Sequence, residues 1–246
     1  MYDIVKTVFR VVVNVVRILI KTLFVAVMVL NMVLICNVGV LMQDLDQKTD
    51  TIVSALQEQK VPTLPNFENL TRANVVIVNL TQGCSGSGTT INVDGKTYIL
   101  SAGHLDDPTD TFVVKEGELY RPIKIIKVNH AVDLALFEYI DKYCDITIAP
   151  IAVAEPKAGD AVWAVGNPAM LEDAITRGTL VRKMGISYLI DAKIYYGSSG
   201  GGLFNTKGEL IGVNVAMVGT GTYLLGMSVN LKTIKAFIAG NISSEI

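Results

Sequence analysis

The chain has 246 residues, half of them hydrophobic and 18% charged, with a net charge of −2 and a mean hydropathy of +0.44. That hydrophobicity excludes an intrinsically disordered chain, which combines low hydrophobicity with high net charge. The near-neutral balance leaves no general electrostatic footprint for nucleic acid, so no nucleic-acid partner is expected.

The apolar excess sits at the start of the chain. Residues 1–43 carry Asp3 against Lys6, Arg10, Arg17 and Lys21, a net +3, which leaves −5 for the remainder. Only Gly39 of the 21 glycines precedes position 83, and all seven prolines lie at position 62 or later. The early chain therefore reads as helix and the later chain as turn-rich. The four bases fall within an arc of about 60° at ~100° per residue, which predicts an amphipathic helix over 1–21 with one cationic stripe, suited to an anionic membrane surface. Residues 22–42, TLFVAVMVLNMVLICNVGVLM, are 21 positions without a formal charge. At ~1.5 Å per residue they span about 32 Å, enough for a bilayer core, and a buried core helix seldom stays uncharged for so long. With the bases upstream and Asp44, Asp46 and Asp50 downstream, the positive-inside rule puts the N-terminus in the cytoplasm. The expectation is a single-pass signal-anchor whose remainder is non-cytoplasmic, periplasmic or extracellular. Residues 43–73 read as a stalk and linker, with Leu45, Ile52, Val53 and Leu56 at helical spacing and Pro62 and Pro65 ending the helix.

From Asn74 to Ile246 the pattern becomes short β-branched runs. They are 74–80, 89–93, 96–102, 111–115, 123–128, 134–140, 161–166, 179–183, 188–196, 209–217 and 223–229. Strands of this length between Gly-containing turns predict an all-β domain, a sandwich or barrels, and two small packed barrels would fit its length. LKTIKAFIAG (231–240) has helical spacing and closes the domain with a short C-terminal helix.

Two histidines and one glycine-rich serine loop carry the chemical candidates. His104 ends YILSAGH, His130 stands three residues before Asp133 in VNHAVDLALFEY, and Ser199 lies in YYGSSGGGLFN. A nucleophilic serine needs a base for its proton, a carboxylate to orient that base, and backbone N–H groups aimed at the developing oxyanion. Ser198 is the weaker nucleophile candidate because the two glycines should follow the nucleophile directly, and His130 reads as a loop residue.

On these residues the chain resembles the trypsin-like (chymotrypsin-fold) serine proteases. SAGH (101–104), DLAL (133–136) and GSSGGGL (197–203) are similar to the family's histidine, aspartate and nucleophile segments, in that order. GSGTTI (86–91), GDAVWAVGNP (159–168), ITRGTLV (175–181), DAKIYYGSSGG (191–201) and GELIGVN (208–214) bring it near the HtrA-like branch, and no PDZ domain is expected after the protease domain. The resemblance covers about residues 75–238 and implies a double six-stranded β-barrel. It implies Ser199 as nucleophile, His104 as base and then acid, and Asp133 as the orienting carboxylate. The N–H groups of Gly197 and Ser199 would form the oxyanion hole, and Asn214, Val215 and Ala216 would pair with an extended peptide substrate. Lys193 falls where relatives often place the base of the specificity pocket, which would favour an acidic side chain; the alternative is that it points to solvent.

Ser198, Gly202 and Gly103 replace the family's usual Asp or Asn, Pro and Ala. A domain active as made follows, since no aspartate precedes the nucleophile to pair with a freed N-terminus. The implied activity is a membrane-anchored serine endopeptidase for quality control or envelope-protein processing. The alternatives are a membrane-tethered peptide-binding pseudoprotease and a viral or phage processing protease of the same fold. No cofactor and no metal site are expected, and homo-oligomerisation stays open. Cys84 and Cys144 could pair outside the cytoplasm or remain free thiols.

Overall fold

The computed structural model describes residues 2–58, 64–105, 109–141, 146–220 and 223–240, in two compact units, Met1–Val61 and Pro62–Ile246. The first unit is one helix, α1 (Tyr2–Glu58), 57 residues long. It contains no proline and a single glycine, so nothing interrupts its hydrogen-bond ladder. Amphipathic segment, apolar run and the stalk as far as Glu58, three segments by composition, are therefore continuous for about 86 Å at ~1.5 Å per residue. Past the apolar run Lys48 pairs with Asp44 at 2.8 Å one turn away. Asn14–Ser54 is long and apolar enough to cross a membrane by length and composition, and none of its most apolar stretch is buried.

The second unit opens with α2 (Phe67–Arg72), capped by Asn66, whose side chain accepts the N–H of Asn69. Leu70 and the following Ala73 are buried against the strands, so a segment read as linker packs as part of this unit. Six strands then close a barrel: β1 (Asn74–Asn79), β2 (Cys84–Val93), β3 (Lys96–Ser101), β4 (Phe112–Glu116), β5 (Leu119–Asn129) and β6 (Leu134–Tyr139). Their order around it is β1-β2-β3-β6-β5-β4. Six more close a second barrel: β7 (Ala161–Gly166), β8 (Ala174–Met184), β9 (Ser187–Ile190), β10 (Gly202–Phe204), β11 (Leu210–Thr220) and β12 (Tyr223–Asn230), ordered β10-β11-β12-β9-β8-β7. All strand pairs within the barrels are antiparallel, and closure leaves no long open edge to recruit another chain.

Inward-facing β-branched and aromatic side chains fill each barrel. Val75, Ile77, Ile99, Val114 and Phe137 fill the first, and Val162, Leu180, Tyr188, Ile190 and Ile211 the second. A third apolar cluster, including Leu100, Leu134, Trp163, Phe204 and Val213, lies between the barrels and joins them. The closing helix α3 (Leu231–Ile238) adds Ile234 and Phe237 to that cluster and is capped by Asn230, which accepts the N–H of Thr233 at 2.9 Å.

Two strand readings change. The run 188–196 is strand only to Ile190, and residues 191–201 form the loop that carries the serine. The three-residue β10 lies inside the glycine cluster, which has no alternating pattern to mark it.

Candidate active site

His104 sits in a single 3₁₀ turn, Gly103–Leu105, just after β3, and Asp133 immediately precedes β6, the neighbour of β3 in the barrel. The pairing of Leu100 with Leu136 and Ser101 with Ala135 thus brings two positions 29 residues apart side by side. Asp133 adopts a left-handed φ of 55°, held by its own N–H donating to His130 O and by Val132 N–H donating to Asn129 Oδ1. Gly103 allows the close approach: a Cβ there would stand 3.0 Å from Leu134 N and 3.2 Å from the Asp133 carbonyl carbon.

The two side chains are directly bonded. His104 Nδ1 lies 3.0 Å from Asp133 Oδ1 and 2.9 Å from Oδ2, and the His104 backbone N–H donates to Oδ1 at 2.8 Å. Facing a carboxylate assigns the ring proton to Nδ1 and leaves Nε2 as the free lone pair. The hydrogen bond that His104 donates to Asp133 holds the imidazole above its ordinary value of 6.5, against half-burial, which pulls it down; the carboxylate's charge adds to the rise.

Ser199 lies in the loop 191–201 of the second barrel. With His104, Tyr196, Gly197, Val215 and Met217 it lines one cleft of about 500 Å³, so the interface between the barrels brings residues 95 positions apart into one space. Among the described contacts the Ser199 hydroxyl donates to Val215 O at 3.4 Å, and none joins it to His104. Ser198 is buried and does not line that cleft; its hydroxyl accepts the Tyr195 N–H at 3.3 Å. His130 is exposed and outside the cleft.

The glycine loop is a turn of defined sense. Ser198 N–H donates to Tyr195 O at 2.9 Å and Gly197 has φ +94°, the combination of a type II turn, which glycine adopts without strain. In a trans peptide the C=O and N–H point opposite ways. Tyr196 O accepts from Ala169 N–H at 3.0 Å, so the Gly197 N–H on the same plane faces away from Ala169. Ser198 O accepts from Gly201 N–H at 3.0 Å, which orients the Ser199 N–H in the same manner. Neither N–H has a partner among the described backbone bonds, and both residues line the cleft. Two free donors beside a hydroxyl are what a developing oxyanion requires.

The three residues expected to meet an extended chain divide. Asn214 is buried, its C=O accepts Gly200 N–H, its N–H donates to Gly201 O, and its side chain bonds Val165 O, Gly202 O and Ser228. A register shift between Asn214 and Ala216 turns the strand there, and Val215, Ala216 and Met217 line the cleft beyond the last β10 pairing, at Val213. The open edge therefore begins one residue later than the motif indicates and includes Met217. Lys193 is exposed and lines a neighbouring cavity of about 220 Å³ with Ala192, Ile194, Leu224 and Leu225; it shares Ile194, Tyr195 and Met217 with the cleft. Cys84 is exposed, and Cys144 lies outside the described residues. Among the described residues no cluster of His, Cys, Asp or Glu could hold a metal ion.

Comparison with known proteins gives a coherent result. A family model described as Trypsin-like peptidase domain matches residues 86–213, just over half the chain, a stretch that contains His104, Asp133 and Ser199. A Haemophilus influenzae protein described as "Probable periplasmic serine protease do/HhoA-like" is 33% identical over 147 residues, covering 54% of this chain and 31% of the relative. Serine endoprotease DegS of Escherichia coli K12 is 31% identical over 141 residues, covering 52% of this chain and 39% of the relative. The match thus spans only 31% to 39% of the length of these curated relatives. A crystal structure of the serine endoprotease from Yersinia pestis superposes with a TM-score of 0.61 at 27% identity, covering 71% of this chain and 65% of that one.

Proposed function

The chain belongs to the trypsin-like peptidase family, within its HtrA-like branch, and from that premise we propose that it is a membrane-anchored serine endopeptidase. Ser199 attacks the peptide carbonyl as His104 Nε2 removes its proton. Asp133 keeps the imidazole in the required tautomer and stabilises the imidazolium that forms. The N–H groups of Gly197 and Ser199 receive the oxyanion. His104 then returns the proton to the leaving amine, and water releases the acyl group by the same route in reverse. The substrate backbone adds as a strand along Val215–Met217, and the side chain before the cut enters the cavity walled by Ile194, Leu224 and Leu225, which suits an aliphatic group.

The observation that carries this reading is the contact of His104 Nδ1–H with both carboxylate oxygens of Asp133, with Ser199 and two free N–H donors in the same cleft. The test is hydrolysis of casein by the full chain and by Ser199→Ala. Loss of cleavage in a variant that melts like the parent is expected, and equal cleavage refutes the mechanism. A second reading, a tethered peptide-binding pseudoprotease, is favoured by the Ser199 hydroxyl bonding Val215 O instead of His104. Catalytic hydrogen bonds often tighten only once substrate is bound, which keeps the enzymatic reading ahead.

The long apolar helix and the periplasmic description of a relative support an anchored chain with its catalytic unit on the non-cytoplasmic face. Carbonate-washed membranes should retain the chain, and a protease added outside spheroplasts should reach residues 64–246; a soluble or shielded chain contradicts the topology.

A further inference from the structure

We infer that Ser87 is a positioning residue for the oxyanion hole, acting from the opposite barrel; this rests on the endopeptidase reading above. Ser87 lies on β2, with no exposed surface, 110 residues before the turn it touches. Its hydroxyl donates to Gly197 O at 2.7 Å and accepts the Asn167 N–H at 2.8 Å. Its backbone N–H donates to Ser199 O at 2.8 Å, and its C=O accepts the Ser101 hydroxyl at 2.7 Å, three residues before His104.

Three consecutive peptide planes set the hole. The first, 196–197, carries the Gly197 N–H and is held through Tyr196 O by Ala169; the third, 198–199, carries the Ser199 N–H and is held through Ser198 O by Gly201. The middle plane, 197–198, links them, and its carbonyl is held by Ser87. Glycine gives the turn its φ of +94° but opposes no rotation, so the same residue that permits the hole leaves it free to turn. The Ser87 hydroxyl opposes that rotation in two places. It grips the Gly197 carbonyl directly. It also fixes Asn167, two residues before Ala169, in a loop with left-handed φ at Ala169, Met170 and Asp173. Only a group that donates and accepts at once can do both, and a hydroxyl is the smallest side chain that does.

The test compares the full chain with Ser87→Ala and with Ser87→Cys, which keeps the shape but is a weak donor. Casein turnover is measured with binding of a tripeptide ending in leucinal and of its alcohol. The aldehyde forms a tetrahedral adduct whose oxygen needs the hole, and the alcohol does not. Both variants should lose about tenfold to a hundredfold in kcat, with KM changed less than about twofold, since removing a hole donor outright costs about 10²–10³ in kcat. Aldehyde affinity should fall in parallel with kcat, and alcohol affinity should stay. A role in the fold alone would lower the melting temperature and leave the aldehyde-to-alcohol ratio unchanged. That ratio unchanged in the folded Ser87→Cys variant overturns the inference, whatever Ser87→Ala does. A parent chain without turnover and without aldehyde binding instead overturns the endopeptidase reading on which it rests.

Discussion

The first barrel presents His104 and Asp133 as a finished pair: two adjacent strand ends, three short contacts, and a ring already oriented by its carboxylate. The second barrel presents Ser199 differently, on an eleven-residue loop between β9 and β10 whose shape depends on glycine and on bonds from outside its own sheet. Ser87 N–H and Oγ, both from the first barrel, hold the carbonyls of Ser199 and Gly197. The proposed base is thus built into a strand register, whereas the proposed nucleophile and oxyanion donors are assembled only where the barrels meet. Disturbing the first barrel's pair should spoil proton transfer; disturbing the second barrel's loop should spoil charge stabilisation.

The largest effect on the base side is expected from Asp133→Asn. It removes the carboxylate that fixes the tautomer, and kcat should fall by about 10³–10⁴ while casein KM stays within a few-fold. A loss under tenfold would separate Asp133 from the chemistry. On the loop side Gly197→Ala comes next. A Cβ there would stand 2.7 Å from Asn167 O at a φ of +94°, so the turn must change and carry the Gly197 N–H with it. A fall of about 10²–10³ in kcat is expected, and a variant with parental kcat would place the oxyanion elsewhere.

The pH response sets the two regions against each other. Asp133 raises the folded-state value of His104 above 6.5, so the pair's contribution to stability is full below 6.5 and is lost as pH rises through the raised value. Activity should run the other way, because in the proposed mechanism only neutral His104 takes the Ser199 proton. Between 6.5 and the raised value kcat/KM should climb while the melting temperature declines; both rising together would contradict the assignment. The smallest effect is expected at Lys193, exposed at the rim of the aliphatic cavity. Lys193→Ala should change cleavage after leucine by less than about twofold, the usual range for surface positions. A tenfold loss confined to peptides with glutamate before the cut would restore the acidic specificity that its sequence position implies.

The sequence exposes the first barrel's contribution more fully than the second's. SAGH and DLAL are short, local and followed or preceded by clear alternation, so both the residues and their strands are legible. GSSGG identifies Ser199, but its supports are not local. Ser87 lies 110 residues from Gly197, and nothing in GSG marks a hydroxyl that donates across an interface. The one-residue offset from Asn214 to Met217 arises at a register shift, which breaks the period-two pattern from which a strand edge is read. Likewise FENLTR, between Pro65 and the first strand, reads as linker because one buried leucine is too little periodicity to announce packing.

The central claim is that Ser199, in the loop held between the barrels, is an activated nucleophile. Fluorophosphonate treatment of the full chain followed by mapping of the modified peptide tests it directly. The account predicts one phosphonyl group on Ser199, absent after Ser199→Ala and strongly reduced after His104→Ala. A modified Ser198, or no modification of a folded chain, would contradict it.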